Sequence, residues 1–427
     1  MKQTITALSL ALLLLLGAGC ADTQAAGTAA TPIPAPVVTP TPEPTPTPPP
    51  APTVAKLVVC GDVMSHMPVT NDAWDDVAQK YDYGPIMAGA KPLVEAADYA
   101  VANLETTLSG GPNYSGYPAF NSPDELAYDL KDLGFDLMLT ANNHCMDKGI
   151  KGVYRTLDVL DEVGLAHVGT SRTAEEQADN IAVADVGGIS VAFLGYTYGT
   201  NGIPVPKDAD FAVNRFNTDY MTSLSTPDTD RLLADLAQAE EKGTDLVCVM
   251  IHWGVEYQTK ENKYQDQIAD LLIANGADLV LGGHPHVLQP MELRTVETAD
   301  GGTRTGFVSY SLGNFISSQT KPLTDTTAVL ELELTRDNVT GETAVTGWDY
   351  TPMFMLRRDG SSRVFQLLDA QAALASGDLS AAETVRSKRP SRTARRFWGK
   401  HTDKKNVLNA LEKAEARREF PPGLRFF

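Results

Sequence analysis

Cysteine is scarce in this chain, with four residues in 427. Cys20 lies near the N-terminus, and the other three (Cys60, Cys145, Cys248) are an odd set whose separations match no disulfide framework. Full internal pairing is therefore excluded. Cys60 and Cys248 lie inside apolar runs and read as small buried residues. Cys145 directly follows His144, and a packing role is the expected one there too. Positive charge is also short. Lys+Arg total 35 against 54 Asp+Glu, a formal charge of −19, which argues against nucleic acid as a partner. There is no internal repeat. The N-terminal apolar run, Ala7–Leu16, has ten residues, too few for a comfortable membrane span.

That short run has the makings of an export signal. Lys2 supplies the positive start, and the run ends in Gly17-Ala18-Gly19-Cys20. Small residues before a cysteine resemble a bacterial lipobox, with Gly17 where leucine is usual. Residues 1–20 are thus expected to be a lipoprotein signal, with Cys20 lipidated and the protein held outside the cytoplasm at the cell membrane. A simple secretory signal is the other reading. Residues 21–53 form a Pro/Thr-rich linker, and proline at this density favours an extended spacer over helix or sheet. Residues 383–427 form a basic tail. From Ala381 to Phe427 there are 13 Lys/Arg against 5 Asp/Glu, suited to anionic head groups or acidic polymers or simply to solvent.

Between these ends, residues 54–382 alternate strand and helix patterns. Apolar runs at Lys56–Cys60, Asp98–Ala102, Phe135–Thr140, Asp245–Ile251 and Ala277–Leu281 read as strands. Helical periodicity covers Asp124–Leu133, Gly152–Val163, Asp228–Lys242 and Tyr264–Ala274. Alternation of this kind predicts a layered α/β fold. Ile181–Tyr196 around Gly187-Gly188 predicts a hairpin, and Ala328–Leu334 with Val345–Met355 a second antiparallel pair. In such folds ligands collect at the carboxyl ends of strands.

The polar residues fall at those ends. The chain has seven histidines. His66, His144, His252, His284 and His286 each follow a hydrophobic run, which points to one shared site. In Gly283-His284-Pro285-His286, the i, i+2 spacing of an extended segment would aim both imidazoles into one cavity. Neutral imidazoles at a strand end suit a divalent transition metal. Taken singly, these residues have plainer readings. Asp62 could be a turn residue, Asn142-Asn143 an N-cap for the helix near Lys151, and Asn314 a loop residue.

The ordered blocks Gly61-Asp62-Val63-Met64, Asn103-Leu104-Glu105, Asn142-Asn143-His144 with Asp147, His252-Trp253-Gly254 with Glu256-Tyr257, Gly283-His284-Pro285-His286 and Ser311-Leu312-Gly313-Asn314-Phe315 resemble the calcineurin-like metallophosphoesterases. The closer resemblance is to the bacterial capsule-synthesis family (CapA, PGA_cap) of poly-γ-glutamate capsules. It implies the calcineurin-like layered fold, central sheets flanked by helices, with two divalent ions (Mn, Fe or Zn). It implies Glu105 as the bridging ligand. Asp62 and His286, with His66, would hold one ion, and Asn143, His252 and His284 the other. His144 would face substrate as a general acid or as a cation near a phosphoryl oxygen, with Asp147 orienting it. Glu256, Tyr257 and Asn314 are expected to contact substrate. Three features depart from the usual pattern: His66 stands four residues after Asp62 rather than two, the second block has Glu where Asp is common, and Cys145 rather than an acid follows His144.

Two functions are consistent with this reading. One is a surface-anchored, metal-dependent phosphoesterase-like hydrolase in capsule polymer biosynthesis or export. The other is a non-catalytic polymer-binding component of a capsule assembly complex. The expected partners are an anionic capsule or wall polymer, membrane-bound synthase components, and the membrane through the lipid anchor.

Overall fold

The computed structural model describes residues 48–358 and 364–377. Cys20, the signal segment, most of the linker and the basic tail lie outside the described residues. In chain order the strands are β1 (Thr53–Val63), β2 (Trp74–Asp75), β3 (Lys80–Tyr81), β4 (Tyr99–Leu104), β5 (Leu137–Leu139), β6 (Ala166–Val168), β7 (Ala182–Val186), β8 (Ile189–Thr197), β9 (Leu246–His252), β10 (Leu279–Gly283), β11 (Met291–Glu297), β12 (Thr303–Ser309), β13 (Asn314–Ile316), β14 (Thr326–Arg336), β15 (Thr343–Arg358) and β16 (Val364–Asp369). One sheet has the order β16-β15-β14-β1-β4-β5-β6, with β13 also pairing with β1. A second has the order β11-β12-β10-β9-β8-β7. β1, β4, β5 and β6 run parallel, as do β8, β9, β10 and β12.

The layering follows from side-chain alternation. In β1, Leu57 and Val59 join a core shared with Val191, Phe193, Cys248, Met250, Leu279 and Leu281 of the second sheet. Val58 and Cys60 point the other way, into a core with Leu126, Leu130 and Leu160 of the flanking helices. In β9 the same parity sends Val249 and Ile251 outward against Leu232, Leu236, Ile268 and Leu272 of two further helices. Successive residues of a strand face opposite sides, so strands apolar on both faces must lie between two layers. The result is helices, sheet, sheet, helices. This is the layered α/β arrangement expected from the alternating pattern.

The expected helices are present with shifted ends: Glu125–Leu133, Gly149–Val163, Thr229–Glu241 and Lys263–Ala274. Asn262 and Gln265 form a capping box at the start of the last. The hairpin turn at Gly187-Gly188 has both residues at positive φ, as a tight two-residue connection requires. Cys60, Cys145 and Cys248 are free and buried, each in a different core cluster. Burial pushes the Cys145 thiol up to about 12, consistent with packing rather than nucleophilic chemistry. The β11–β12 hairpin was not anticipated. In Met291–Glu297 the alternation breaks at Arg294-Thr295, and Thr303–Ser309 is polar in its first half and apolar in its second, so no sustained period-2 signal marks either strand.

Candidate metal centre

The centre lies where the carboxyl ends of both sheets meet. On β1, Asp62 registers with Asn103 of β4 and with Asn314 of β13. On the second sheet, His252 at the end of β9 registers with Gly283 of β10. Close packing around the centre depends on glycine. A Cβ at Gly61 would stand 1.9 Å from Gly313 O, and one at Gly283 would stand 2.6 Å from Asp62 Oδ1. Those contacts explain why both positions lack a side chain.

Asp62, Glu105, Asn143, His252, His284 and His286 converge there, all buried. Two groups have ligand-type atoms within 4.8 Å of one another: Asp62 with Glu105 and His252, and Glu105 with His284 and His286. Glu105 belongs to both. Asn143 Oδ1 lies 2.9 Å from His252 Nε2, so the amide oxygen joins the same cluster. His286 Nδ1 also lies 3.2 Å from Asp62 Oδ2, the pairing that the resemblance implies for one ion. Glu105 is common to both groups, as expected of a shared carboxylate.

His284 and His286 converge for a reason other than the extended spacing suggested by the sequence. β10 ends at Gly283, and the two histidines have φ of +99° and +59°. Non-glycine residues adopt such values at a cost of order 1–3 kcal/mol, and they cluster at functional sites. The backbone turn also brings the His284 N–H to Asp62 Oδ2 at 3.2 Å. The two rings end 5.7 Å apart.

The donor set fits a metal. Glu105 Oε1 is buried and has no hydrogen-bond partner, and neither has His284 Nδ1. Glu105 Oε1 is 3.5 Å from His252 Nε2 and 3.9 Å from His286 Nε2, close enough for one ion to touch several of them but with no hydrogen bond made. Buried polar atoms are otherwise nearly always paired. Burial works against an imidazolium at His286, but Glu105 and Asp62 outweigh it and push His286 up to about 9. Burial likewise opposes the Asp62 carboxylate, and His286 overrides that and holds it below its usual range. Burial, with His252, His286 and His144 nearby, keeps His284 neutral, well below its ordinary value.

The other expected site residues divide. His144 and Asp147 form a buried pair, with Nδ1 to Oδ2 at 2.7 Å. Asp147 Oδ2 also accepts the Phe120 N–H at 2.6 Å, and the Phe120 ring meets His144 edge-on at 4.7 Å. His66 is outside both ligand groups. Its Nδ1 faces Met64 O at 3.4 Å and Ser317 Oγ at 3.5 Å, and burial lowers it to about 4. Tyr257 lies at the rim, 6.1 Å ring to ring from His286. Glu256 is beside it, half-buried. Asn314 has a buried Oδ1 with no hydrogen-bond partner. It is 2% exposed, and its amide donates to Gln319 Oε1 and Thr324 O, which ties down the following loop. Asn142 caps no helix, since the next helix is capped at Lys148. Instead it donates to Leu104 O at 2.8 Å and accepts the His144 N–H at 3.1 Å, linking the second and third blocks.

Sequence reasoning gave no role to Asn103, yet it is the hub of the centre. Its Nδ2 donates to Asp62 Oδ1 at 2.8 Å and lies 3.4 Å from Glu105 Oε2 and 3.2 Å from His252 Nδ1. The signal was available: Asn103 precedes Glu105 by two residues at a strand end and so shares its face. Asn103→Leu should lower metal affinity by about 10–100-fold, the scale for losing a partner that orients ligands. A chelator-competition titration measures this, and unchanged affinity would remove Asn103 from the account. Tyr198, 4.7 Å ring to ring from His284, also went unremarked.

Comparison with known proteins gives the chain a family. The bacterial capsule synthesis protein PGA_cap family matches residues 56–319. The chain is 29% identical over 292 residues to the PGA biosynthesis protein CapA of Bacillus subtilis, covering 68% of this chain and 70% of that one. It is 30% identical over 292 residues to the capsule biosynthesis protein CapA of Bacillus anthracis, covering 66% and 64%. Solved structures similar to it include the calcineurin-like phosphoesterase YfkN of Bacillus subtilis, at 13% identity and TM-score 0.36 over 85% of this chain and 100% of that one. Another is a phosphatase from Mycoplasma pneumoniae, at 14% identity and TM-score 0.38 over 71% and 95%. The matched stretch holds every side chain of the centre from Asp62 to His286, and the chain belongs to the bacterial capsule synthesis protein PGA_cap family.

Proposed function

We propose that this protein is a metal-dependent, phosphoesterase-like hydrolase acting in capsule polymer biosynthesis or export at the outer face of the cell membrane. The observation that carries the reading is Glu105, a residue common to two groups of ligand-type atoms, with one buried oxygen that has no hydrogen-bond partner. Asp62, Glu105, Asn143, His252, His284 and His286 would hold two divalent ions, Mn, Fe or Zn. When bound, such ions polarise a substrate oxygen and lower the pKa of water.

The chain's own residues supply the rest. Asp147 holds the His144 ring through Nδ1, which leaves Nε2 as the atom that exchanges a proton with substrate. Nε2 faces the Asn201 amide at 3.5 Å, a contact loose enough for an incoming group to replace. A proton passed from Nε2 to the departing oxygen would make His144 the general acid. Tyr198 and Phe120 wall the site with apolar surface, which limits water around the reacting groups. The test is metal analysis of purified protein followed by turnover of a chromogenic phosphodiester. Metal-loaded protein inert across a broad panel of phosphoesters and γ-linked polymers would overturn the hydrolase reading. It would favour a polymer-binding component, which is also consistent with relatives named for biosynthesis rather than hydrolysis.

The proposed partners are an anionic capsule polymer and membrane-bound synthase components. The proposed location rests on the Gly17-Ala18-Gly19-Cys20 pattern. Thr53 starts β1 and Asp62 nears its end, about 30 Å away at about 3.3 Å per residue. An anchor ahead of Thr53 would therefore attach the domain by the end opposite the metal centre. Cys20→Ala should move the protein from the membrane to the soluble fraction. A variant still membrane-bound in high salt would rule out the lipid anchor, whereas salt-sensitive retention would implicate the basic tail.

A further inference from the structure

The loop that follows Asn314 carries a cation to the mouth of the metal centre. Lys321 Nζ lies 4.9 Å from the centroid of the Tyr257 ring, within cation–π range. Among the described residues Lys321 makes no ion pair, although acidic residues outnumber basic ones 54 to 35 in the chain. Both partners are held in place. Tyr257 has φ +66°, an uncommon value for a bulky residue, and its N–H donates to Pro285 O at 2.8 Å. Pro285 separates His284 from His286, so the turn that aims the two histidines also fixes the ring under Lys321. The Lys321 loop is tied at both ends by the Asn314 amide, through Gln319 Oε1 and Thr324 O at 3.1 Å each. It borders a cleft of about 480 Å³ lined by Ser317, Ser318, Gln319, Thr320, Lys321 and Arg357, with Asp325 as its carboxylate. Ser317 Oγ, at one end of that lining, is 3.5 Å from His66 Nδ1.

We infer that Lys321, held over Tyr257, forms a subsite for an anionic group of the substrate lying outside the reacting bond, with the Ser317–Thr320 cleft receiving the next part of the same molecule. The inference rests on the proposed use of the metal centre to engage an anionic substrate. An exposed ammonium contributes mainly through charge, so its effect should fade with salt. Two kinds of group share the required chemistry, a carboxylate and a phosphate.

The experiment is calorimetric binding of a synthetic γ-linked glutamate oligomer, and separately of tripolyphosphate, to Mn-loaded wild type, Lys321→Met, Lys321→Arg, Tyr257→Phe and His286→Ala proteins. Lys321→Met should weaken binding of one or both anions by about five- to tenfold at low salt, with the difference closing near 0.5 M salt and the metal content unchanged. Lys321→Arg should stay close to wild type because the charge is kept, and Tyr257→Phe should lose less than Lys321→Met because the ring under the ammonium is kept. Loss confined to the oligomer identifies a carboxylate, and loss confined to tripolyphosphate a phosphate. If His286→Ala binds like wild type while Lys321→Met does not, the subsite stands and the metal-centre reading falls. Wild-type affinity in Lys321→Met at low salt, or no binding of either anion to wild type, overturns the inference.

Discussion

His144→Asn should leave the metal in place and lower phosphodiester turnover by about 10²–10⁴-fold, the usual contribution of a positioned general acid. The expectation follows from the contacts of the ring. His144 belongs to neither group of ligand-type atoms, and its Nδ1 is committed to Asp147 Oδ2 at 2.7 Å. Asparagine cannot deliver a proton at the Nε2 position. The neighbouring Asn143 oxygen, 2.9 Å from His252 Nε2, is untouched by the change. The Phe120 N–H bond to Asp147 should keep that carboxylate in place, so the fold around the gap is retained. Metal analysis and steady-state kinetics on the same preparation check both halves. Loss of metal equal to that of a ligand variant would refute the role given to His144, and full turnover would do so as well.

Glu105→Gln should have the opposite signature, with metal lost first and turnover lost as a consequence. The glutamine is close in size, so the packing of a fully buried side chain is preserved. What goes is the negative charge that both ligand groups share. A shared carboxylate offsets repulsion between two dications, and a neutral amide oxygen does not. Loss of an orienting partner alone costs about 10–100-fold in affinity, so removing the shared ligand should exceed about 100-fold at each position. The measurement is metal stoichiometry after dialysis against a weak chelator, with circular dichroism to verify folding. Retention of two equivalents would show that Glu105 is not the bridge. Loss of one equivalent only would reassign it to a single position.

The sequence was most legible where a local pattern had a single physical solution. The strand runs of β1, β4, β9 and β10 were visible because they are apolar on both faces. That pattern only suits strands buried between layers. The order of polar residues at their ends, Asp62, Glu105, Asn143, His144, His252, His284 and His286, was readable because each follows such a run. Less legible were elements whose signal is mixed. β11 and β12 mix polar and apolar residues without a sustained period, and β6 has three residues, too short for a period to register. The resemblance made Asn314 a substrate contact, while its position after Gly313 also suited a plain loop residue. Whether its amide faced outward or held the Gln319–Thr324 loop was undetermined until the loop's path was known. His66 presented the same difficulty, since placement after a strand does not fix the direction of a ring.

By itself the sequence determined the layered α/β class, the family resemblance and the set of residues that gather at one end of the strands. Those properties follow from alternation, propensity and order along the chain, all of them local. The tertiary structure alone decided which residues hold the set together. Asp62 meets the His284 N–H across 222 positions of sequence, and Lys321 reaches Tyr257 from a loop on another sheet. Asn103 became the hub because two sheets, packed face to face, bring Asp62, Glu105 and His252 around one amide. Distances of this kind are set by the packing of layers and by the backbone turns at His284 and His286, which no periodicity in the chain encodes.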